Sequence, residues 1–245
     1  MQPEGSLGEF AKKIITDVPA DLNSEVAKGF AHSLPKFPEE AIYIYSFLEG
    51  RLIYAHGWEE VLGYSDEEIN LRLIMSLTSP EYAAFARDLN DQSLIFLQTQ
   101  REELDKYSFM IEVTKKHKNG SVVPLIERIG VLKAMGGRVV EVIGRFQINR
   151  SIRLGKIMHY QAYGPEKSEF EEKLSKGLFQ HQTITVKEKE ALELVSQGYT
   201  FKEIAFEFKV SQSAIEKRIL PLYQRFEVKS LTHLVTFAFE NHILG

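Results

Sequence analysis

Residues 107–149, YSFMIEVTKKHKNGSVVPLIERIGVLKAMGGRVVEVIGRFQIN, decide the fold of the first half of the chain. Three runs rich in β-branched and aromatic residues are separated by Asn119-Gly120 and by Gly136-Gly137. These dipeptides suit the positive φ angles of tight hairpin turns. Because consecutive hairpins pair neighbouring strands in opposite directions, the stretch predicts three antiparallel strands.

The residues before this stretch add two more strands and several short helices. The sequence AIYIYSFLEGRLIYAHG, residues 41–57, contains two β-rich runs joined through Glu49-Gly50, which is a hairpin signal. Further on, Ser65 followed by Glu68 forms a capping box that predicts a short helix. Two strands, short helices and then three strands predict an α+β fold, with a five-stranded antiparallel sheet and helices on one face.

The flanks of this module are predicted to be helical. Residues 1–38 form a leader of two short helices, the second over residues 22–30. Residues 150–182 form a helical connector, in which residues 151–160 can continue as a helix. The predicted domains are therefore 1–38, 39–149, 150–182 and 183–245.

The bulk composition narrows the class of protein. The chain has 245 residues, enough for two domains of roughly 100 to 200 residues each, with 44% apolar and 26% charged residues. It has no cysteine, which excludes a disulfide framework, a thiolate metal site and a cysteine nucleophile.

No segment has the ~18 consecutive apolar residues of a membrane span, so we expect a cytoplasmic protein. The net charge of −4 gives no global attraction to nucleic acid, so DNA binding requires a local patch.

The last 63 residues, 183–245, carry the start signals of successive helices. Thr185 with Glu188 and Thr200 with Glu203 are capping boxes. A three-residue turn, 209–211, follows the second of these helices and leads into a third. Two short helices joined by such a turn have the geometry of a helix-turn-helix, although a plain helical hairpin has the same local pattern.

The longer string resembles the LuxR-type regulator domain. ITVKEKEALELVSQGYTFKEIAFEFKVSQSAIEKRILPLYQRFEVKSLTHLVTFA, residues 184–238, is similar to the family pattern over about the last quarter of the chain. The matching residues are Thr185, Glu188, Glu190, Leu192, Gly198, Lys202, Glu203, Ile204, Ala205, Val210, Ser211, Ile215, Val228, Ser230, Val235 and Ala238.

This resemblance implies an all-α four-helix domain that binds double-stranded DNA through the helix that begins near Gln212. Lysine and arginine neutralise phosphate, whereas glutamine can make a bidentate contact to a base. The DNA-contacting residues implied by the resemblance are Thr200, Lys202, Gln212, Ser213, Lys217 and Arg218.

The last helix resembles the dimerisation helix of that family. Its apolar side would serve a homodimer, at least when the protein is bound to DNA, and the alternative is that the same side belongs to the core of its own domain. The residues concerned are Leu231, Leu234, Val235 and Ala238.

Three departures from the family pattern raise a competing hypothesis. Glu216 stands where the family usually has lysine, Arg218 replaces histidine and Pro221 replaces asparagine. A proline inside a helix costs about 3 kcal/mol, so it predicts a kink or an early end. Eight basic residues (187, 189, 202, 209, 217, 218, 225, 229) balance eight glutamates (188, 190, 193, 203, 207, 216, 227, 240) in 183–245. The alternative is a protein-interaction module whose helix-turn-helix no longer binds DNA.

Residues 39–149 resemble a PAS sensor domain. The resemblance rests on WEEVLGYSDEEI, residues 58–69, and on residues 116–148. It implies an apolar cavity between the helices and the sheet, with a small molecule or a protein as the signal. The absence of cysteine excludes a flavin adduct, and His56 and His117 are candidate haem ligands by residue type alone. No cofactor and no metal are predicted.

Taken together, these features predict a bacterial transcription regulator with a PAS-like sensor that controls a LuxR-type DNA-binding domain. The sequence contains no phosphate-binding glycine loop, no HExxH pair and no GxSxG elbow, so no enzymatic activity is predicted.

Overall fold

The computed structural model describes residues 15–150, 160–166, 169–170, 184–241 and 243–244. The described residues separate into two compact units, one ending at residue 170 and the other beginning at residue 184. No helix in these ranges is long and apolar enough to cross a bilayer. The domain boundaries given above remain predictions.

The first unit is built on a six-stranded antiparallel sheet. Its strands are β1 Glu40–Ser46, β2 Arg51–His56, β3 Ser108–Lys116, β4 Val122–Met135, β5 Arg138–Ile148 and β6 Tyr160–Tyr163. Their order in the sheet is β2-β1-β5-β4-β3-β6, so the last long strand pairs with the first. The five strands predicted from the sequence are confirmed, and so is the α+β class.

The sixth strand corrects the prediction that Tyr160 ends a helix. Tyr160–Tyr163 pairs antiparallel with β3, so that Tyr163 faces Ser108 and Tyr160 faces Ile111. Without this strand, β3 would be an edge of the sheet with unpaired backbone groups. The rest of this predicted helix, residues 151–159, lies outside the described residues. The first helix of the leader is predicted over residues 10–18. Residues 10–14 lie outside the described part of the chain, and residues 15–18 are not helical, which corrects the prediction there.

Four α-helices and one short 3-10 helix, Leu104–Lys106, lie wholly within the described part of this unit. The α-helices are α1 Glu25–Ser33, α2 Trp58–Leu62, α3 Leu71–Ser76 and α4 Pro80–Thr99. The capping box predicted at Ser65 does not start a helix. Its Glu68 carboxylate accepts a hydrogen bond from the Ser65 amide at 2.9 Å, but the segment is a turn, and α3 begins later, with Asn70 as its N-cap. A side-chain cap satisfies one donor and does not by itself supply the packing that a helix needs.

One helix, α1, packs on the second face of the sheet at β1 and β2, which corrects the prediction that helices lie on a single face. Strand β1 is buried along its whole length. Its residues Ala41, Tyr43 and Tyr45 join the core on the side of α2 and α3. The alternate residues, Ile42 and Ile44, pack with Ala27 and Phe30 of α1 on the opposite side. An uninterrupted apolar run such as AIYIY is what a strand buried on both faces requires.

The second unit contains four helices in its described residues: α5 Val186–Ser196, α6 Phe201–Glu207, α7 Gln212–Arg225 and α8 Leu231–Glu240. Both predicted capping boxes are present, at Thr185 with Glu188 and at Thr200 with Glu203. Helix α7 continues for four residues beyond Pro221, so the early end considered from the sequence does not occur. Packing around Ile219 and Leu222, both fully buried, offsets the cost of the proline.

Gly57, at the junction of β2 and α2, offers a test of this packing. Its φ is +80°, and an added Cβ would overlap the carbonyl oxygen of Glu40 at the start of β1. Gly120 is a matched control, because its φ is +89° but a Cβ there would meet open space. Left-handed backbone costs a residue with a Cβ about 1–2 kcal/mol in either variant.

We expect Gly57→Ala to lower the free energy of unfolding by about 3 kcal/mol or more, and Gly120→Ala by about 1 kcal/mol. Urea titration of the full chain, followed by the fluorescence of Trp58, measures both values. An equal decrease in the free energy of unfolding of the two variants would show that the close approach of Gly57 to Glu40 does not affect stability.

Candidate functional site

The helix-turn-helix is formed by α6, the turn at residues 208–211 and α7. Lys209 adopts a positive φ of 53° in this turn, and the Val210 amide donates to the Ala205 carbonyl at 2.9 Å. The Ser211 hydroxyl then accepts from the Ala214 amide at 3.2 Å and caps α7. These bonds fix the direction in which α7 leaves the turn.

One side of the helix pair is seated on an apolar core. Ile204 and Ala205 of α6 are buried together with Ile215, Ile219 and Leu222 of α7. The 3.6-residue period therefore turns the opposite side of α7 toward solvent. Gln212, Ser213 and Lys217 are exposed on its first two turns, so the structure presents these three predicted DNA-contacting residues together.

The other three predicted DNA-contacting residues differ in how available they are. Lys202 is exposed on α6. The Thr200 hydroxyl donates to the Glu203 carboxylate at 2.7 Å and accepts from the Glu203 amide at 3.3 Å, so it is engaged in capping. Arg218 is half-buried, with its guanidinium 5.7 Å from the centre of the Phe208 ring in the turn. It braces the helix pair through this cation–π contact.

Glu203 and Glu216 show two different uses of a carboxylate in this unit. Hydrogen bonds from the amide and hydroxyl of Thr200 lower the pKa of Glu203, which keeps the capping carboxylate ionised. Glu216 instead accepts a hydrogen bond from the Gln212 side-chain amide, with 2.9 Å between Gln212 Nε2 and Glu216 Oε1. The four-residue spacing on one helix could have indicated this pair from the sequence.

The predicted dimerisation residues divide into two groups. Leu234 and Ala238 are fully buried in the core of their own unit, where they cannot also meet a partner chain. For these two residues burial favours the alternative, a core role, and their part in dimerisation remains a prediction. Leu231 and Val235 are half-buried at the edge of that core, and their role in dimerisation remains a prediction.

The far end of α7 is held by a partly buried ion pair. One guanidinium nitrogen of Arg225, Nη1, lies 3.0 Å from each carboxylate oxygen of Glu188 at the start of α5. The two side chains are only 13% and 11% exposed. The same Glu188 carboxylate also accepts from the Thr185 amide at 2.8 Å. The capping box of α5 and the end of α7 thus share one carboxylate.

A cavity of about 70 Å³ lies in the first unit, between the sheet and helices α3 and α4. Its walls are mostly apolar and include Met75 of α3, Leu97 of α4, and Phe146 of β5. Phe170 also lines it and stacks on Phe96 with 4.5 Å between ring centres. This is the place where the PAS resemblance led us to expect a cavity.

A buried ion pair forms the polar part of the cavity wall. The Lys115 ammonium lies 3.0 Å from the Glu127 carboxylate and also donates to the Ile74 carbonyl at 3.0 Å and to the Thr78 hydroxyl at 2.8 Å. Two of its three protons are therefore used in these hydrogen bonds, and the contact with Glu127 Oε1 is an ion pair whose oxygen accepts no hydrogen bond from the described residues. Burial raises the pKa of Glu127, and the positive charge of Lys115 only partly opposes that rise.

Tyr43 and Ser93 each contribute a hydroxyl group to the polar lining, which also includes Arg87, Asn90 and Ser108. Tyr43 has its pKa raised by burial and by the nearby Glu127 carboxylate, so its phenol stays protonated. The Ser93 hydroxyl is buried and has no hydrogen-bond partner among the described residues. A buried donor without a partner is costly and is commonly met by a bound water or ligand.

A surface cleft of about 410 Å³ adjoins the cavity. Phe47, Leu94 and Leu97 line both spaces, so these side chains form the partition between them. The two candidate haem ligands lie elsewhere: neither His56 nor His117 lines the cavity. Among the described residues, no three His, Asp or Glu side chains form a group that could hold a metal ion.

Residues 182–238 match the GerE family, described as bacterial regulatory proteins of the luxR family. The C-terminal unit is therefore a LuxR-family helix-turn-helix domain, and its identification from the sequence is confirmed. No curated protein matches the chain in sequence.

Three solved structures are similar to the chain at low scores. A phage VqmA in complex with DPO has 18% identity, covers 88% of this chain and 87% of its own, and gives a TM-score of 0.34. The VqmA dimer of Vibrio cholerae without target DNA has 13% identity, coverages of 90% and 89%, and a TM-score of 0.34. A PAS domain from Colwellia psychrerythraea has 18% identity, coverages of 52% and 100%, and a TM-score of 0.38. At these scores the likeness transfers neither a ligand nor a function to this chain.

The Arg225–Glu188 pair gives a prediction about how α7 is held. Arg225→Met leaves the Glu188 carboxylate partly buried without its cation, so we expect the local stability of α5 and α7 to fall by about 2 kcal/mol. Hydrogen–deuterium exchange of the full chain, read on peptides from these two helices, measures the loss. Lys189→Met, an exposed cation on α5, is the matched control and should change protection little. Unchanged protection in Arg225→Met would mean that the ion pair does not hold the helix.

Proposed function

We propose that this protein is a bacterial transcription regulator that binds double-stranded DNA through the first two turns of α7 and is controlled by the N-terminal PAS-like unit. The observation that carries the proposal is the exposed group Gln212, Ser213 and Lys217 on the second helix of a helix-turn-helix that lies within the LuxR-family match. A second helix in a helix-turn-helix enters the major groove by its N-terminal part.

Within this proposal the contacts divide by chemistry. Lys202 and Lys217 neutralise phosphates, while Gln212 and Ser213 meet base edges. Thr200 approaches phosphate beside Lys202, and Arg218 reaches the backbone from its place over Phe208. Because the unit as a whole carries as many glutamates as basic residues, few phosphates are neutralised, and the salt dependence of binding should be shallow for a DNA-binding protein.

The proposal includes a homodimer on DNA and a cytoplasmic location, where the chromosome is found. A two-fold dimer would place two copies of α7 about 34 Å apart, on the half-sites of a near-palindromic sequence. Leu231 and Val235, at the edge of the core, would contribute to the contact between copies. Binding and release of DNA require no chemical reaction, so the proposal assigns no enzymatic activity.

The cavity is the proposed sensory site, and its chemistry limits the signal. Lys115 and Glu127 neutralise each other, and Arg87, which also lines the cavity, pairs with Asp88, so a ligand needs no net charge. Ser93 offers a hydroxyl donor that has no partner in the described part of the chain, which favours a ligand with an acceptor. The cavity is smaller than the ~150 Å³ that accommodates benzene. A small uncharged molecule therefore fits best, and anything as large as a ring must displace Phe47, Leu94 or Leu97 toward the cleft.

Binding assays on DNA test the first half of the proposal. We expect Lys217→Ala to weaken binding of the full chain to all sequences and to reduce the slope of log K against log salt by about 1. Gln212→Ala should instead reduce the preference for the target over unrelated DNA. Lys28→Ala, which removes an exposed positive charge from the N-terminal unit, is the control. A wild-type protein that shows no salt-dependent binding to the promoter DNA of its own operon would favour the interaction-module alternative.

Thermal shifts with small molecules test the second half. A panel of uncharged molecules of roughly four to ten non-hydrogen atoms should contain at least one that raises the Tm of the wild-type chain, because ligands that bind only the native state stabilise it. Ala86→Phe places a ring in the cavity and should abolish that rise. Ile95→Phe, at an exposed position of the same helix that does not line the cavity, should keep it. A ligand that stabilises both variants equally must bind elsewhere.

A further inference from the structure

We infer that Gln212 and Glu216 read DNA as one unit, in which Glu216 selects cytosine and excludes guanine while Gln212, oriented by Glu216, selects adenine. The inference rests on the proposed DNA-binding function and assigns a role to the residue that departs most from the family pattern.

The starting observation is the bond between the two side chains. Gln212 is the first residue of α7 and is exposed, and Glu216 follows one helical turn later in a half-buried position. Gln212 Nε2 donates to Glu216 Oε1 over 2.9 Å. A free glutamine amide can rotate and present either end, so this bond selects one orientation.

The hydrogen-bond donors and acceptors that Gln212 and Glu216 do not use on each other determine which bases the pair can recognise. The Gln212 amide keeps its carbonyl oxygen and its second N–H, which is the combination needed for a bidentate contact. The Glu216 carboxylate keeps its second oxygen and further lone pairs, and it can only accept. At Gln212 the helix therefore presents one donor and one acceptor to the DNA. At Glu216, one turn later, it presents acceptors only.

The base edges of the major groove match this arrangement in one way. Adenine offers the N7 acceptor and the N6 amino donor that a glutamine amide pairs with. Cytosine offers the N4 amino donor that a carboxylate accepts from. One helical turn rises 5.4 Å and a base pair about 3.4 Å, so the two contacts lie one or two steps apart.

Glu216 also acts by disfavouring guanine, in addition to accepting a hydrogen bond from cytosine. Guanine presents two acceptors, N7 and O6, and a carboxylate that faces them has an unpaired charge opposite electronegative atoms. Lysine, the usual family residue at this position, would favour guanine instead. Glu216 therefore changes the preferred base at its position from guanine to cytosine. Lys202 and Lys217, which contact phosphates, hold the helix in the groove.

Selection from a random double-stranded DNA library tests the inference. The full-length wild type, Glu216→Gln, Gln212→Ala and the control Glu193→Gln are each incubated with the library, and bound DNA is sequenced. Glu193 is exposed on α5, so its substitution removes the same charge away from α7. Glu216→Gln is nearly isosteric, which keeps the helix folded.

We expect each half-site selected by the wild type to contain a cytosine and, within two steps, an adenine. Glu216→Gln should lower the preference for that cytosine at least about fivefold, with adenine gaining at its position. Gln212→Ala should relax the adenine position, and Glu193→Gln should return the wild-type motif.

Two results would overturn the inference, and they are distinct. A wild-type motif that Glu216→Gln leaves unchanged would show that the pair does not read bases, while the proposed DNA-binding function stands. A wild-type chain that selects no sequence at all would overturn the proposed function and this inference with it.

Discussion

The burial of strand β1 on both faces is the constraint on which the first unit depends. Tyr43 belongs to the core below α2 and α3, while its neighbours Ile42 and Ile44 pack against α1. Because β1 also pairs with β2 and β5, it joins the first hairpin to the last long strand. The tight approach of Gly57 to Glu40 and one wall of the cavity both follow from this central position.

Helix α7 divides its length between two tasks. Its first two turns carry polar side chains that project from the domain, whereas its later turns are fixed by Ile219, Leu222 and the ion pair of Arg225. Pro221 lies in the fixed part, where burial maintains the helix despite the missing amide donor. A helix held at one end presents the other end with little loss of side-chain and backbone entropy on binding.

Local signals made much of this structure predictable, and non-local contacts account for the rest. A hairpin turn or a capping box depends on only a few neighbouring residues. The five strands could therefore be predicted from their turns, and the starts of α5 and α6 from the capping boxes at Thr185 and Thr200. Strand β6 could not, because its partner β3 lies some 50 residues away and Tyr160 carries no turn signal. Likewise, the periodicity of α8 cannot separate an interface from a core, and only tertiary packing places Leu234 and Ala238 inside.

The position of Phe170 links one aromatic side chain to the contents of the cavity. Its ring lines the cavity and stacks on Phe96. A molecule that binds more tightly when this ring is in place must, by thermodynamic reciprocity, hold the ring in place more firmly. The free energy by which the ring strengthens ligand binding therefore equals the free energy by which the ligand stabilises the position of the ring.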